Sequence, residues 1–442
     1  MGLGAPVVVS LQVPVDIRLS RYGRASTRPS PVNRMMADFA HDFRDGIDIN
    51  LGVGYVNEQT IPEEDLVEAM QAVAADHARY RQAFNYGNPA GSRNLIESIR
   101  EFLLRSRLGQ LDEATLDRKR LAIGPCGATS ILDALSEILE PGIVVTSDPS
   151  YYIYTETLER KGFEVLAVPE DGEGVELAAL HRKLEALGSE AGRISFFYVV
   201  TVNNPSCTIL SNARRRALLD VAADISRRQN RTVPIFFDLA YELLLHDPGV
   251  EPFESVLPAD DMDIAYEIGT LSKVLAPALR IGYVLGPRGP LMSALIQKTS
   301  DTGFSAPLFV QEMASWLLDH RIAAQLRRVN EGYREKALAV GEGIAQNLGP
   351  QLEECRGGSA GFYFYLTFHD LETHPASPFF RLLTAPGGAP RVIYIPGEYC
   401  VHPRGDLAAR GRRQLRLSYG FEDVPRILKA LELMREAACA TG

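Results

Sequence analysis

Lys273 stands in the run Gly269-Thr270-Leu271-Ser272-Lys273-Val274-Leu275-Ala276-Pro277-Ala278-Leu279-Arg280-Ile281-Gly282-Tyr283. The flanks, Asp263-Ile264-Ala265-Tyr266 and Ile281-Gly282-Tyr283-Val284-Leu285, read as buried strands. A lysine between two such strands is costly to bury as a bare cation. In an apolar setting its amine gives up its proton more readily and becomes a nucleophile, which is what Schiff-base chemistry needs. The ordinary alternative is a lysine snorkelling from a strand end.

Four other runs carry polar groups where an apolar chain has little use for them. Phe236-Phe237-Asp238-Leu239-Ala240-Tyr241 puts a carboxylate at the end of an apolar strand, costly unless paired, or else a loop aspartate capping the next helix. Gly124-Pro125-Cys126-Gly127-Ala128-Thr129-Ser130-Ile131 follows a strand and opens a helix. Free N–H groups and the helix dipole make such a turn a seat for an anion, although an ordinary glycine turn reads the same way. Asn203-Asn204-Pro205-Ser206-Cys207 follows the strand ending at Val202, and by itself signals only a turn. Leu415-Arg416-Leu417-Ser418-Tyr419 places a guanidinium in an apolar strand, as a receptor or as a salt-bridged edge residue. Gly52-x-Gly54 lacks the third glycine of a dinucleotide fingerprint, and no βαβ unit surrounds it.

The elements that must hold these residues alternate from about 120 to 290. Short β-rich runs (Leu121 to Ile123, Ile143 to Thr146, Phe163 to Val168, Ile194 to Val202, Val233 to Phe237) are separated by amphipathic helices such as Arg214 to Arg228. This pattern predicts a mostly parallel sheet covered on both faces. Helices are expected from Pro62 through Met70 and from Ser92 to Leu108, and a long helical stretch from Gln311 to Leu348. The runs Gly361 to Leu366, Val392 to Ile395 and Leu415 to Tyr419 then suggest a smaller α+β unit. Residues 1–45, rich in Pro, Arg and Ser, read as an extended arm with an apolar patch at Pro6-Val7-Val8-Val9.

In their order, these runs resemble the motifs of the fold type I pyridoxal-phosphate (PLP) enzymes, in the class I/II aminotransferase family of the aspartate aminotransferase superfamily. The resemblance spans about residues 45–425. It implies an α/β fold with a large domain, a mostly parallel sheet of the seven-stranded type, and a smaller α+β domain. The implied division is an arm over 1–45, a PLP-binding domain over 46–310 with 46–62 also serving the small domain as a substrate gate, and a small domain over 311–442. It implies that Lys273 carries PLP in Schiff-base linkage, that Asp238 faces the pyridinium nitrogen, and that Asn204 and Tyr241 face the phenolic oxygen. Tyr151, with Tyr152 as second choice, would stack on the ring.

For the phosphate the resemblance implies Arg280, Thr270 and the loop Gly127-Ala128-Thr129, with Gly127 and Ala128 as backbone donors. Ala128 stands where the family has a hydroxyl or amide side chain. Tyr86, in Tyr86-Gly87-Asn88-Pro89-Ala90-Gly91, resembles the tyrosine that reaches the partner subunit's phosphate, which implies a homodimer with shared sites. Arg416 is the implied α-carboxylate receptor, and Gly54 and Tyr55 join Asn204 beside the substrate. Cys207 replaces a glycine of the family pattern. The activity implied is transfer of an amino group between an α-amino acid and a 2-oxo acid. A PLP-dependent lyase, decarboxylase or synthase of specialised metabolism is the alternative on the same fold. A transcription factor with an aminotransferase-like sensor is the alternative of another class, but the residues before Asp48 show no helix-turn-helix pattern.

Composition narrows the partners. The 442 residues are 46% hydrophobic and 23% charged, with net charge −10 and no basic stripe, which argues against nucleic acid. Five scattered cysteines without a Cys-x-x-Cys indicate neither a disulfide framework nor a metal site, and point to a reducing cytoplasm. No run approaches a membrane span, and no cationic segment precedes the early apolar patch.

Overall fold

The computed structural model describes residues 17–441, so the patch at Pro6 to Val9 lies outside the described residues. Eight strands make the central sheet, in the order Lys119–Ile123, Gly282–Pro287, Ala265–Thr270, Ile235–Asp238, Ile194–Val200, Ile143–Asp148, Glu164–Asp171, Gly174–Val175. The body from Ala265–Thr270 to Glu164–Asp171 is parallel. Lys119–Ile123, Gly282–Pro287 and the two-residue strand Gly174–Val175 add antiparallel edges. The seven expected strands are present, and the eighth is this short hairpin return.

The strand period splits the side chains between two apolar layers. Phe196, Tyr198 and Val200 face one way, against Leu132 and Leu135 of the helix Gly127–Ile138 and Leu158 of Tyr152–Lys161. Phe197 and Val199 face the other, toward Leu218 and Ala222 of Asn212–Gln229. A strand buried on both faces has few polar positions to spare, so polar residues gather toward its ends. Asp148, Asp238 and Thr270 are the last residues of three parallel strands, and Asn204 follows a fourth. The carboxyl ends of parallel strands are where ligands bind in such sheets.

The second sheet is antiparallel, in the order Leu352–Gly357, Tyr363–Phe368, Gln414–Ser418, Ile395–Pro396. Three expectations are corrected. The run Val392 to Ile395 is divided between sheets: Val392–Ile393 pairs with Ile49–Asn50, while Ile395–Pro396 pairs with Gln414–Ser418. Tyr394 anchors the junction by donating to the Thr373 carbonyl at 2.7 Å. The stretch from Gln311 to Leu348 is two helices, Leu308–His320 and Ile322–Leu348, broken at Arg321, which ion-pairs with Asp65 and Glu68. The N-terminal arm is not simply extended, since Pro31–His41 is a helix. Ser30 caps it by accepting from the Asn33 N–H, and Pro31 takes the first helical position, where a missing N–H costs nothing.

One buried charge ties this N-terminal segment to the residues just before Val392–Ile393. Asp48 is fully buried. Its Oδ1 accepts from Arg44 Nη2 at 2.6 Å and the Arg391 N–H at 3.0 Å, and its Oδ2 from Arg391 Nη2 at 2.7 Å. Burial by itself raises the carboxyl pKa, but the bonds from Arg44 and Arg391 outweigh it and hold the group well below the ordinary carboxylate range. Its stabilising effect is therefore complete above the unfolded value of about 3.9 and is lost as pH falls through the depressed folded value. Asp48→Ala is expected to lower the unfolding free energy by about 3 kcal/mol at neutral pH, because it removes the carboxylate partner of Arg44 and leaves the buried Arg391 with Asp42 alone. Denaturant midpoints measured from pH 7 down to 3 should show the gap between wild type and variant narrowing in acid.

Candidate active site

A cleft of about 640 Å³ opens between the strand ends and the second sheet. Lys273, Asp238, Tyr241, Asn204, Arg280, Arg416, Thr270, Ala128, Thr129, Tyr151, Gly54 and Tyr55 all line it. Of the residues singled out in the sequence, Gly127, Tyr86 and Cys207 do not.

Lys273 lies on the turn after Ala265–Thr270 and is half-buried. Its Nζ donates to the Gly54 carbonyl at 3.3 Å and sits 5.4 Å from the Tyr241 ring centroid and 5.5 Å from that of Phe362. Burial, then the charges of Arg416 and Arg280, pull its pKa down to about 8, with Asp238 opposing. Asp238 is buried, with Oδ2 accepting from the Tyr198 hydroxyl at 2.7 Å and Oδ1 from the Ala240 N–H at 3.0 Å. Burial raises its pKa, and Tyr198, Ala240 and Lys273 oppose the shift.

Arg416 is buried in the middle of Gln414–Ser418. Its Nη1 donates to Asn204 Oδ1 at 2.8 Å and its Nη2 to the Gly52 carbonyl at 2.5 Å, with the Tyr363 ring centroid 4.4 Å from the guanidinium carbon. This orientation leaves the Asn204 amide nitrogen free to donate. Gly52 and Gly54 belong to a turn fixed by Asn50, whose Oδ1 accepts from the Gly52 and Val53 N–H groups. At Gly54 a Cβ would stand 2.7 Å from the Tyr363 hydroxyl, so the glycine is what lets this turn approach.

Arg280 has φ +52° and donates only to carbonyls, of Pro277 and Cys126, both at 3.3 Å. Gly127 lies directly beneath its guanidinium, where a Cβ would meet Nη2 at 2.8 Å. Two expected donors are otherwise engaged. The Gly127 N–H goes to the Arg280 carbonyl at 2.6 Å, so this residue offers space rather than a free amide. Thr270 Oγ1 lies 2.8 Å from the Ile281 carbonyl and accepts the Ser272 N–H, and so braces the turn that carries Lys273. Ala128 and Thr129 remain in the first turn of Gly127–Ile138, where N–H groups have no helical acceptor. Tyr86 is 76% exposed and packs on Phe304, away from this cleft.

Three contributors escaped the sequence reading. Tyr198 holds Asp238, and the signal was a hydroxyl-bearing ring inside an otherwise apolar strand. Tyr363 packs on Arg416 and meets the Tyr241 hydroxyl at 2.9 Å. The helix Pro31–His41 supplies Val32, Asn33, Met36, Ala37 and Ala40 to the cleft wall. Its signal was Ser30-Pro31, a cap and first-turn pair that compositional bias concealed.

Among the described residues, none of Lys273, Arg280 and Arg416 forms an ion pair, and Asp238 is the one carboxylate lining the cleft. A cavity with that excess of cations fits a ligand carrying a phosphate and a carboxylate. An acid at the far side fits a protonated ring nitrogen. The residues therefore match PLP and an amino acid. No group of three or more His, Cys, Asp or Glu is arranged to hold a metal ion among the described residues.

Comparison with known proteins agrees. The sequence pattern of the aminotransferase class I and II family matches residues 46–385. The chain belongs to this family, and is a PLP-dependent transferase that moves amino groups. Aromatic-amino-acid aminotransferase 1 of Thermococcus litoralis is 24% identical over 362 residues, covering 79% of this chain and 79% of that protein. YisV of Bacillus subtilis, named as an HTH-type transcriptional regulator, is 23% identical over 393 residues, covering 88% of this chain and 73% of that protein. The crystal structure of the multiple substrate aminotransferase from Thermococcus profundus superposes with a TM-score of 0.83 at 20% identity, over 96% of this chain and 98% of that one.

The neutral amine is the form of Lys273 that attacks an aldehyde. Capture of PLP by the cofactor-free protein should therefore accelerate as pH rises toward about 8 and level off above it. Stopped-flow absorbance after mixing with PLP measures this. A rate still climbing steeply at pH 10 would contradict the lowered pKa.

Proposed function

We propose that the chain catalyses transamination between an α-amino acid and a 2-oxo acid, with Lys273 as its central base. The observation that carries this reading is the placing of an unpaired lysine with a lowered pKa in the same cleft as a buried arginine and a buried aspartate. PLP, when bound, supplies an electron sink that eases removal of the α-proton. Asp238, steadied by Tyr198 and Ala240, would hold the protonated ring nitrogen. Asn204 and Tyr241 would donate to the phenolic oxygen, and Tyr151 would cover the ring. Arg280 and the amides of Ala128 and Thr129 would bind the phosphate, a geometry that suits a guanidinium. Arg416 would bind the substrate α-carboxylate in place of its present carbonyl contact. Lys273 Nζ would then take the proton from the substrate Cα.

Borohydride treatment of the loaded protein should fix a pyridoxyl group on Lys273, located by peptide mass spectrometry. Lys273→Ala should lose turnover by about 10³-fold or more while keeping its fold by circular dichroism. A variant that retains turnover would refute the assignment.

The assembly we infer is a two-fold homodimer with shared sites. Phe84, Tyr86 and Phe304 are 71%, 76% and 57% exposed, and Phe84 stacks on Phe309 at 5.1 Å. Such an aromatic surface is the kind that a second copy covers. The five cysteines are all free, which supports a reducing cytoplasm. No helix among the described residues is long and apolar enough to cross a membrane. Tyr86→Ala chains mixed with Lys273→Ala chains should regain activity, because a mixed dimer then has one site with both defects and one with neither. No recovery from a verified mixed dimer would mean that Tyr86 does not cross.

A further inference from the structure

We propose that the amino donor carries an apolar side chain, aliphatic or aromatic, and that the helix Pro31–His41 helps to select it. The inference rests on the transamination reading above. Arg416 fixes where the α-carboxylate binds, so the wall beside Arg416 receives the rest of the substrate. That wall carries no charged side chain and is mostly apolar, with Asn33 and Asn50 as its amides. Ile395 is the register partner of Arg416 in the adjoining strand. Met36 Sδ and Ile395 Cδ1 lie 3.3 and 3.5 Å from the position a Cβ on Gly52 would take, and the Gly52 carbonyl is the one that Arg416 holds. Val32, Tyr152 and Ile395 belong to one buried cluster, with Met36 packed against it.

The helix divides its charges away from this wall. Val32, Met36 and Ala40, four residues apart, form one stripe along the cleft, with Asn33 and Ala37 beside them. Arg34 and Asp38, with Asp42 just beyond the helix end, lie on the opposite side, lining a separate cavity of about 440 Å³ with Phe380 and Arg391. Among the described residues of this chain, the cations that reach the cleft are Lys273, Arg280 and Arg416, and the reading above gives each a task. A second carboxylate on the donor would lose water against a thioether and methyl groups and gain no cation. An unbranched thioether accommodates both branched and flat side chains, so leucine, methionine and phenylalanine all suit this wall.

The test mixes holoenzyme with single amino acids, without an acceptor, and follows loss of the cofactor's visible absorbance by stopped flow. L-leucine, L-methionine and L-phenylalanine should react with second-order constants at least about tenfold above those of L-aspartate, L-glutamate and L-2-aminoadipate. Met36→Lys, which adds a cation to the wall, should cut the rates of the apolar donors and raise those of the acids. Calorimetry supplies a readout without turnover. Here 4-methylpentanoate and 3-phenylpropanoate should bind the holoenzyme more tightly than succinate and glutarate, again by about tenfold or more. Acidic donors that react as fast as leucine, or dicarboxylates that bind as tightly, would overturn the specificity inference and leave transamination standing. Absorbance that none of the six amino acids bleaches would also overturn the specificity inference, while transamination is judged separately by the borohydride labelling and turnover of Lys273→Ala.

Discussion

Uncompensated positive charge in the cleft is the constraint on which the rest of the site depends. Lys273, Arg280 and Arg416 face one carboxylate, Asp238, and repel one another in a partly dry space. The lowered pKa of Lys273 is a direct consequence, since burial and the two guanidinium groups all disfavour its protonated form. The protein meets this charge with neutral acceptors: the carbonyls of Gly54, Gly52, Pro277 and Cys126, and the Asn204 amide oxygen. A carbonyl dipole steadies a cation without neutralising it. An ion pair in the same place would have to be broken before an anionic ligand could bind, at a cost of several kcal/mol for a buried pair. Neutral partners give way more easily, so the site is stable yet remains open to a phosphate and a carboxylate.

Asp238 is treated in the same way, with neutral donors in place of an ion pair among the described residues. The sheet around it fixes its position. In the registers it stands beside Val200 on one side and Ile268 on the other. Its carbonyl accepts from the Thr201 N–H at 3.0 Å, and the Leu239 N–H is bound to the Ile268 carbonyl at 2.8 Å. Tyr198 comes from the neighbouring strand and is itself wedged edge-on against Tyr154, with ring centroids 4.7 Å apart. The carboxylate thus keeps its direction through packing, and its raised pKa makes it a good partner for a group that brings its own positive charge.

What the sequence disclosed follows from the same physics. Polar residues at the ends of strands buried on both faces have few structural reasons to be there, so Asp238, Asn204 and Lys273 could be located before any coordinates. Arg416 was legible for the same reason, as a guanidinium within an apolar run. Local signals failed where the deciding contact is long-range. Nothing near Gly127 in sequence says that the Arg280 carbonyl will take its N–H, or that the Thr270 hydroxyl will be engaged in bracing a turn at the cleft wall. Tyr363 acquires its place from an antiparallel register that sets its strand against that of Arg416. The N-terminal helix was hidden by composition. Pro, Arg and Ser suggested an arm, although Ser30-Pro31 is a helix start and the apolar stripe from Val32 to Ala40 has helical spacing.

Cys207 shows how a departure from the family pattern can be absorbed. The position has φ +52°, a conformation that a glycine adopts freely and that costs another residue about 1–3 kcal/mol. This explains why the family pattern has glycine there. The thiol is nonetheless buried, and it fits because Gly361 opposite also has positive φ and no side chain: a Cβ there would stand 2.8 Å from the sulfur. Burial pushes the thiol pKa up to about 12, so Cys207 is a neutral packing group at physiological pH. It sits behind Asn204 and the strand of Tyr363 without lining the cleft, so its sulfur bears on the site only through those two neighbours. Both of them contact Arg416. The substitution therefore acts on how firmly the arginine's surroundings are held, and the chemistry of Lys273 and Asp238 does not draw on it.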